Sequence, residues 1–169
     1  PIPQAVKRLA VSAARNYLLK KRDTDCAGYR QWSVNPLQKK PIDLCKKAIA
    51  TAQAPAAIGP YSQAIEANGM VFVSGQLPIN PATGEFAEGG IKELTTQSLT
   101  NMKHILEEAG LSMQKRGENH VFLADMADFA EMNEVYAQFF EAPFPARSAV
   151  AVKTLPKGAR VEIECIAAR

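Results

Sequence analysis

A single arginine in an apolar segment restricts how the C-terminal part of this chain can fold. Arg147 is the only charged side chain between Glu141 and Lys153, and the segment continues into Ala149-Val150-Ala151-Val152. A guanidinium keeps its proton and is costly to bury without a partner. We therefore expect a strand on which Arg147 meets an anion. That anion is either a carboxylate of the chain such as Glu162, or a ligand carboxylate held by two parallel hydrogen bonds.

Apolar and acidic residues alternate in Val161-Glu162-Ile163-Glu164-Cys165. Because successive side chains of a strand point to opposite faces, Glu162 and Glu164 should share one face. A solvated outer face is the ordinary interpretation of such a pattern. A functional interpretation requires one of the two carboxylates to face a cleft shared with Arg147.

The charge of the chain is unevenly distributed. Of 169 residues, 47% are hydrophobic and 22% charged, which is typical of a globular domain. Residues 1–46 hold ten Lys and Arg against three Asp, a net +7, whereas residues 47–169 hold ten against fourteen Asp and Glu, a net −4. An acidic body argues against a broad nucleic-acid-binding face, so nucleic acid is not an expected partner.

The reactive residue types do not form recognisable metal or nucleotide motifs. Cys26, Cys45 and Cys165 lack C-x-x-C spacing, which indicates a reducing compartment such as the cytoplasm and offers neither a zinc site nor a disulfide framework. His104 and His120 have no cysteine nearby and are given no role. We find no P-loop, no G-x-G-x-x-G and no run of 18 apolar residues. We therefore expect no metal, no organic cofactor and no membrane partner.

Residues 1–46 are expected to form a basic extension ahead of a domain at 47–169. From Pro1 to Arg22 there are six basic residues and no acidic one, which resembles an organelle transit peptide. The alternative is a poorly ordered basic extension or translated upstream sequence. The lack of serine richness and of a clean processing signal favours this alternative.

Hydrophobic periodicity and turn residues predict the order β-β-β-α-β-α-β-β. The first helix is expected from about Gly90 to Ala109 with Gly110 at its end, and the second after the capping residue Asp128. Asn68-Gly69 predicts a hairpin turn. The strands are expected at 47–51, 63–66, 70–74, 121–124, 146–152 and 160–167. This order predicts an α+β fold, a mixed sheet with two helices packed on one face.

Short motifs follow one another along the body of the chain. They are Ala54-Pro55-Ala56-Ala57-Ile58-Gly59-Pro60-Tyr61-Ser62-Gln63-Ala64, Val73-Ser74-Gly75-Gln76-Leu77-Pro78, Gln97-Ser98-Leu99-Thr100-Asn101, Asn133-Glu134-Val135-Tyr136, Pro145-Ala146-Arg147-Ser148, Leu155-Pro156-Lys157 and Val161-Glu162-Ile163-Glu164. In order and spacing they closely resemble the Rid family, also called the YjgF family, and within it the RidA-type imine deaminases. Such agreement is far more specific than any single motif.

The resemblance implies a fold like that of the small trimeric chorismate mutases, with ligand sites at the interfaces of a homotrimer. It also implies hydrolysis of small 2-imino acids, such as 2-iminobutanoate and 2-iminopropanoate, to 2-keto acids and ammonia without a cofactor. Two other functions stay open: a trimer that binds small carboxylates without turning them over, and an RNA-cleaving translation inhibitor.

Three residues of the last two strands match the reaction centre of the family. Arg147 matches the arginine that binds the substrate carboxylate, although a structural ion pair with Glu162 or Glu164 is an equal alternative from the residues alone. Glu162 matches the glutamate that orients or activates water. Ala149 lies where many relatives have cysteine, and the family uses the backbone there to bind the substrate nitrogen.

Four further residues match the family pocket. Tyr61 matches a tyrosine that closes it, Ser74 and Gly75 end an apolar strand where a ligand can approach, and Asn133 matches a pocket-lining hydrogen-bonding residue. Each also has an ordinary structural explanation, such as a half-buried ring, a turn or a surface amide. The polar stretch Lys115–His120 departs from the family pattern and is expected to weaken a central strand and any subunit contact it makes.

Overall fold

The computed structural model describes residues 46–169. Apart from Lys46, the basic extension expected over residues 1–46, with its targeting interpretation, lies outside the described residues. The helices are α1, Ile91–Glu108, and α2, Phe129–Gln138. The strands are β1, Lys47–Ile49, β2, Ala64–Ala67, β3, Met70–Gln76, β4, Arg116–Leu123, β5, Ala146–Ala151, and β6, Val161–Ala168.

The six strands form one mixed sheet in the order β1-β2-β3-β6-β4-β5. All neighbours are antiparallel except β4 and β5, which are parallel. Parallel strands need a crossover connection, and α2 lies in the connection between these two. The predicted α+β architecture, a mixed sheet with two helices, is therefore confirmed.

Local sequence signals explain the hairpin and the bounds of α1. Asn68 and Gly69 have φ angles of 52° and 74°, the left-handed values that a two-residue hairpin turn between β2 and β3 requires. At the start of α1, Gly90 N–H donates to the Glu93 carboxylate at 2.7 Å, and Gly110 follows the helix with a φ of 72°. The predicted hairpin turn, the start of the helix near Gly90 and the glycine at its end are confirmed.

The core lies between the sheet and the helices. The apolar stripe of α1 is buried, as predicted, against β3 and β6 and beside α2. Alternate residues of the internal strands face it, and these are Val71, Val73, Val121, Leu123, Val161, Ile163 and Cys165. One face of the sheet is thus buried within the chain, and it anchors the strands that carry the candidate site residues.

The opposite face of the sheet is left uncovered within residues 46–169. Phe72 pairs across the sheet with Ile65 and Ile166, and Phe122 lies between Glu162 and Val150. Exposed fractions of 43% for Phe72 and 47% for Val150 are high for large apolar side chains on a sheet. These residues form two apolar patches, separated by His120 and Glu164. Exposed apolar patches are typical of protein–protein contacts.

Strand β4 begins at Arg116, not at Val121 as predicted. The polar stretch pairs with both neighbouring strands, with one irregularity between Arg116 and Glu118. Arg116 and Asn119 are buried and find partners on the helical side of the sheet, so their polarity does not end the strand. These partners are distant in sequence, which explains why local propensity gave a shorter strand.

The cap predicted for the second helix also differs. Asp128 does lie at the start of α2, but its side chain makes no capping hydrogen bond. It instead forms a salt bridge with Arg160, while Asp125 accepts a hydrogen bond from Ala127 N–H in the short turn before the helix. A long-range ion pair therefore replaces the local cap.

We expect Ile163→Ala to lower the free energy of unfolding by about 2–5 kcal/mol, because it leaves a cavity in a tightly packed core. Ile163 is fully buried on β6. Ile58→Ala, at a position that is 80% exposed, is the matched control and should change stability by less than about 0.5 kcal/mol. Urea unfolding measures both, and equal effects would contradict this account of the core.

Candidate active site

Arg147 lies on β5 in a cluster formed with α2, here called the Arg147 cluster: Arg147, Asn133, Phe129 and Tyr136. The guanidinium donates from Nη1 to Asn133 Oδ1 at 2.8 Å. Its central carbon lies 4.5 Å from the centre of the Tyr136 ring and 5.6 Å from that of Phe129. The aromatic faces and the amide hold a half-buried cation in place without neutralising it.

No carboxylate within residues 46–169 forms a salt bridge with Arg147. The alternative of an internal ion pair with Glu162 or Glu164 is therefore not found in this part of the chain. Asn133 supplies an oxygen but no charge. The planar guanidinium has the geometry to form two parallel hydrogen bonds with a carboxylate.

Glu162 belongs to a second group on the neighbouring strands, here called the Glu162 cluster: Glu162, Ser74 and Gly75. A Cβ atom added to Gly75 would lie 2.0 Å from Glu162 Oε1, so the carboxylate rests directly on the glycine backbone. Ser74 Oγ donates to the Ser62 carbonyl at 2.7 Å. The pairing of β3 with β6 is irregular between Val73 and Gln76, at the position of this contact.

The half-buried position of Glu162 changes its acidity. Burial, and to a lesser extent the nearby Glu164 carboxylate, raises the pKa of Glu162 above its usual value. The shift moves the pKa of Glu162 toward neutral pH, and a group that both accepts and returns a proton is most effective when its pKa lies near the working pH. The ionised form of Glu162 is therefore a stronger proton acceptor than an ordinary glutamate.

Strand register places Arg147 and Glu162 on opposite faces of the sheet in one chain. Asn119 lies between Arg147 and the buried Cys165, so Arg147 shares the face covered by the helices. Phe122 lies between Val150 and Glu162, on the uncovered face. The structure thus brings together Arg147 with Asn133, and Glu162 with Gly75, whereas Ser74 binds the Ser62 carbonyl. The cleft shared by Arg147 and Glu162 that a functional interpretation requires is not found within residues 46–169 of one chain.

Ala149 lies two residues after Arg147 on β5, whereas no contact of Tyr61 with either cluster is found within residues 46–169. Ala149 shares the face of Arg147 on β5, which is an edge strand and leaves alternate backbone groups without a strand partner. Tyr61 is 52% exposed and precedes Ser62, whose carbonyl binds Ser74. A cavity of about 480 Å³ beside β1 is lined by Tyr61, but by no residue of either cluster.

Comparison with known proteins identifies the family. The protein-family model described as endoribonuclease L-PSP matches residues 51–169, more than half of the chain. The chain belongs to this family. It is the YjgF or Rid family that the sequence motifs resemble, so that prediction is confirmed.

Curated relatives and solved structures are similar over the same region. A 2-iminobutanoate/2-iminopropanoate deaminase from Bos taurus is 50% identical over 124 residues, 73% of this chain and 90% of the relative. Reactive Intermediate Deaminase A, chloroplastic, from Arabidopsis thaliana is 48% identical over 122 residues, 72% of this chain and 65% of the relative. The E. coli TdcF structure with bound serine has 47% identity and a TM-score of 0.70, covering 73% of this chain and 98% of that one.

Two aromatic residues of the Arg147 cluster, Phe129 and Tyr136, were not among the site residues predicted from the sequence. Hydrophobic periodicity alone places Phe129 and Tyr136 in the apolar stripe of the second helix, where they do contribute to the core. Their rings additionally support the Arg147 guanidinium. The spacing of Asn133 and Tyr136, three residues apart on one helix, was the available signal that both could reach the same strand.

The two histidines, which received no role, have defined partners. His120 lies between Glu164 at 3.0 Å and Glu118 at 3.2 Å, and His104 lies 2.8 Å from the Gln53 carbonyl. Within residues 46–169, no group of three or more His, Cys, Asp or Glu side chains could hold a metal ion. In the same part of the chain, neither helix has the length and apolar character needed to cross a membrane.

We expect Gly75→Ala to displace the Glu162 carboxylate, because the new methyl group would occupy the space of Oε1. The displaced carboxyl becomes more solvated, so its pKa should fall toward the usual glutamate value. Gly117→Ala is the control, since its nearest neighbour would be an atom 3.8 Å away. Carbon-detected NMR titration of Glu162 measures the effect, and an unchanged pKa in Gly75→Ala would contradict the assigned contact.

Proposed function

We propose that this chain is an imine deaminase that hydrolyses 2-iminobutanoate and 2-iminopropanoate to 2-keto acids and ammonia. The observation that carries the proposal is a half-buried guanidinium at Arg147 that an amide and two rings hold without a carboxylate partner within residues 46–169. Relatives about 50% identical bear the name of this activity. The substrate of that reaction carries the carboxylate that Arg147 lacks.

In the proposed reaction, Arg147 binds the substrate carboxylate and Asn133 keeps the guanidinium oriented. A backbone N–H or C=O group at Ala149 forms a hydrogen bond with the imine nitrogen of the substrate. Glu162, aided by Tyr61 or Ser74, takes a proton from water as the water oxygen bonds to C2. Glu162 passes that proton to the imine nitrogen, which gives a tetrahedral intermediate with OH and NH2 on C2. The hydroxyl proton then moves to nitrogen as the C–N bond breaks, so ammonia leaves and the C2 oxygen becomes the carbonyl of the 2-keto acid.

The opposite orientation of the two clusters supports a site shared between copies of the chain. Arg147 of one copy would have to meet Glu162 of another. Two different patches of the chain then form each contact, and such heterologous contacts close into a ring when the rotation between copies permits it. A homotrimer with sites at its interfaces, as the family resemblance implies, also covers the apolar residues of the open sheet face, including Phe72 and Val150.

In one alternative function, the Arg147 cluster binds a ligand without catalysing a reaction. The E. coli TdcF structure contains bound serine, a small carboxylate. A non-catalytic trimer that binds small carboxylates would need Arg147 and Asn133, but not the raised pKa of Glu162. The other alternative, RNA cleavage, is named in the family description, but the net charge of −4 over residues 47–169 disfavours it.

We expect Arg147→Ala to abolish both imine hydrolysis and 2-ketobutanoate binding, with a loss of about 100-fold or more, because a bidentate charged contact disappears. Glu162→Gln should lose hydrolysis but keep binding. A threonine dehydratase supplies the imine, semicarbazide traps what remains, and calorimetry measures binding. Lys103→Ala, which removes an exposed cation from α1, is the control.

Full acceleration by Arg147→Ala would eliminate the mechanism. Binding of 2-ketobutanoate by the unmodified chain, without acceleration, would instead favour the non-catalytic alternative.

We expect a mixture of the inactive Arg147→Ala and Glu162→Gln chains to regain activity after joint refolding. If each site takes Arg147 from one copy and Glu162 from the next, random assembly of equal amounts restores roughly one quarter of the sites. Sites contained in one chain would give none. Activity of the refolded mixture, with the mass in solution from light scattering, measures the outcome, and each variant refolded alone is the control.

A further inference from the structure

Arg116 is a buried cation without a carboxylate partner in residues 46–169. Its side chain lies at the start of β4 and the residue is only 6% exposed. Nε donates to the Met113 carbonyl at 3.0 Å, and Nη1 lies 3.0 Å from Met102 Sδ and 3.5 Å from Asn119 Oδ1. Nη2 has no partner among the described residues. Such an environment is costly for a charge, and an apolar side chain there would be as stable or more so.

Two routes of contact connect Arg116 to the ring beneath Arg147. The Arg116 guanidinium lies 4.0 Å from the centre of the Phe140 ring, which stacks on Tyr136 at 4.3 Å. By the other route, Asn119 Nδ2 donates to the Tyr136 hydroxyl at 2.5 Å. Both routes end at the ring on which the Arg147 guanidinium rests.

The charge of Arg116 persists at neutral pH. Burial lowers its pKa to about 10, which still leaves the guanidinium protonated at pH 7. Burial also raises the pKa of Tyr136, so its phenol stays neutral and does not cancel that charge. The positive potential of Arg116 therefore adds to that of Arg147 and favours an anion bound there.

We propose that Arg116, acting through Asn119, Phe140 and Tyr136, is a positioning residue that holds Arg147 and makes its site selective for carboxylates over neutral ligands. The proposal rests on the carboxylate-binding role proposed for Arg147. It gives a function to the polar stretch that departs from the family pattern. It also explains why a costly buried cation occurs next to this cluster.

The test measures binding of 2-ketobutanoate and of its uncharged amide to the full chain. Arg116→Met replaces the guanidinium with an apolar side chain of similar length. We expect affinity for the carboxylate to fall about tenfold. Affinity for the amide should change less than about twofold, and resistance to urea should be equal or greater. For the imine, KM should rise by the same factor as the carboxylate Kd, with kcat retained.

Lys103→Met is the matched control, because it removes one positive charge from the exposed face of α1 and should leave both affinities unchanged. Arg116→Lys, which keeps the charge but loses the planar contact with Phe140, should recover part of the carboxylate affinity. If Arg116→Met does not fold, the Tyr136→Phe variant tests the proposal instead. It keeps the ring, removes the hydroxyl bound by Asn119, and should weaken carboxylate binding about threefold.

Wild-type affinity in Arg116→Met, or in Tyr136→Phe if the former does not fold, would overturn the inference. An equal loss for carboxylate and amide would also overturn it, since that indicates general loosening. Arg147→Ala separates the two proposals. If that variant still binds 2-ketobutanoate, the proposed function fails. If it does not bind and Arg116→Met binds normally, only the role of Arg116 fails.

Discussion

Side chains alternate across a β-sheet, and the division of this sheet into a covered and an uncovered face determines where each candidate residue can act. The helices α1 and α2 cover the face that carries Arg147, whereas Glu162 lies on the face with Phe72 and Val150. A shift of one residue in register would exchange the two faces. The buried residues of β4 and β6 fix that register, so the packing of the core also sets the orientation of both clusters.

Much of the fold was accessible from local signals. Asn68-Gly69 specified a hairpin, and Gly90 with Gly110 marked the ends of α1, because backbone conformation at these positions depends on the residues themselves. The start of β4 could not be predicted from local sequence signals. Arg116 contacts Met102 and Phe140 inside the fold, and no window of sequence contains these residues together.

The candidate site could be predicted as a set of residues but not as an arrangement. Motif resemblance identified Arg147, Asn133 and Glu162, and alternation correctly placed Glu162 apart from the core. The alternation of side chains within one strand could not give the position of Glu162 relative to Arg147, because their strands are not neighbours and β4 lies between them. The support of Arg147 by Tyr136 was hidden for a similar reason, since aromatic residues on an apolar helix stripe predict a core first.

The two clusters would also divide the work of the proposed reaction. The 2-keto acid product keeps the carboxylate of the imine, so Arg147 and the groups behind it stabilise substrate and product alike. Uniform binding of this kind lowers KM without lowering the barrier from the bound state. Acceleration must therefore come from contacts that change as C2 becomes tetrahedral, and the proposed mechanism assigns these to Glu162, whose pKa is raised by burial. Substrate affinity and the rate of hydrolysis are thereby assigned to opposite faces of the sheet, and each proposed site combines the two faces from two copies of the chain.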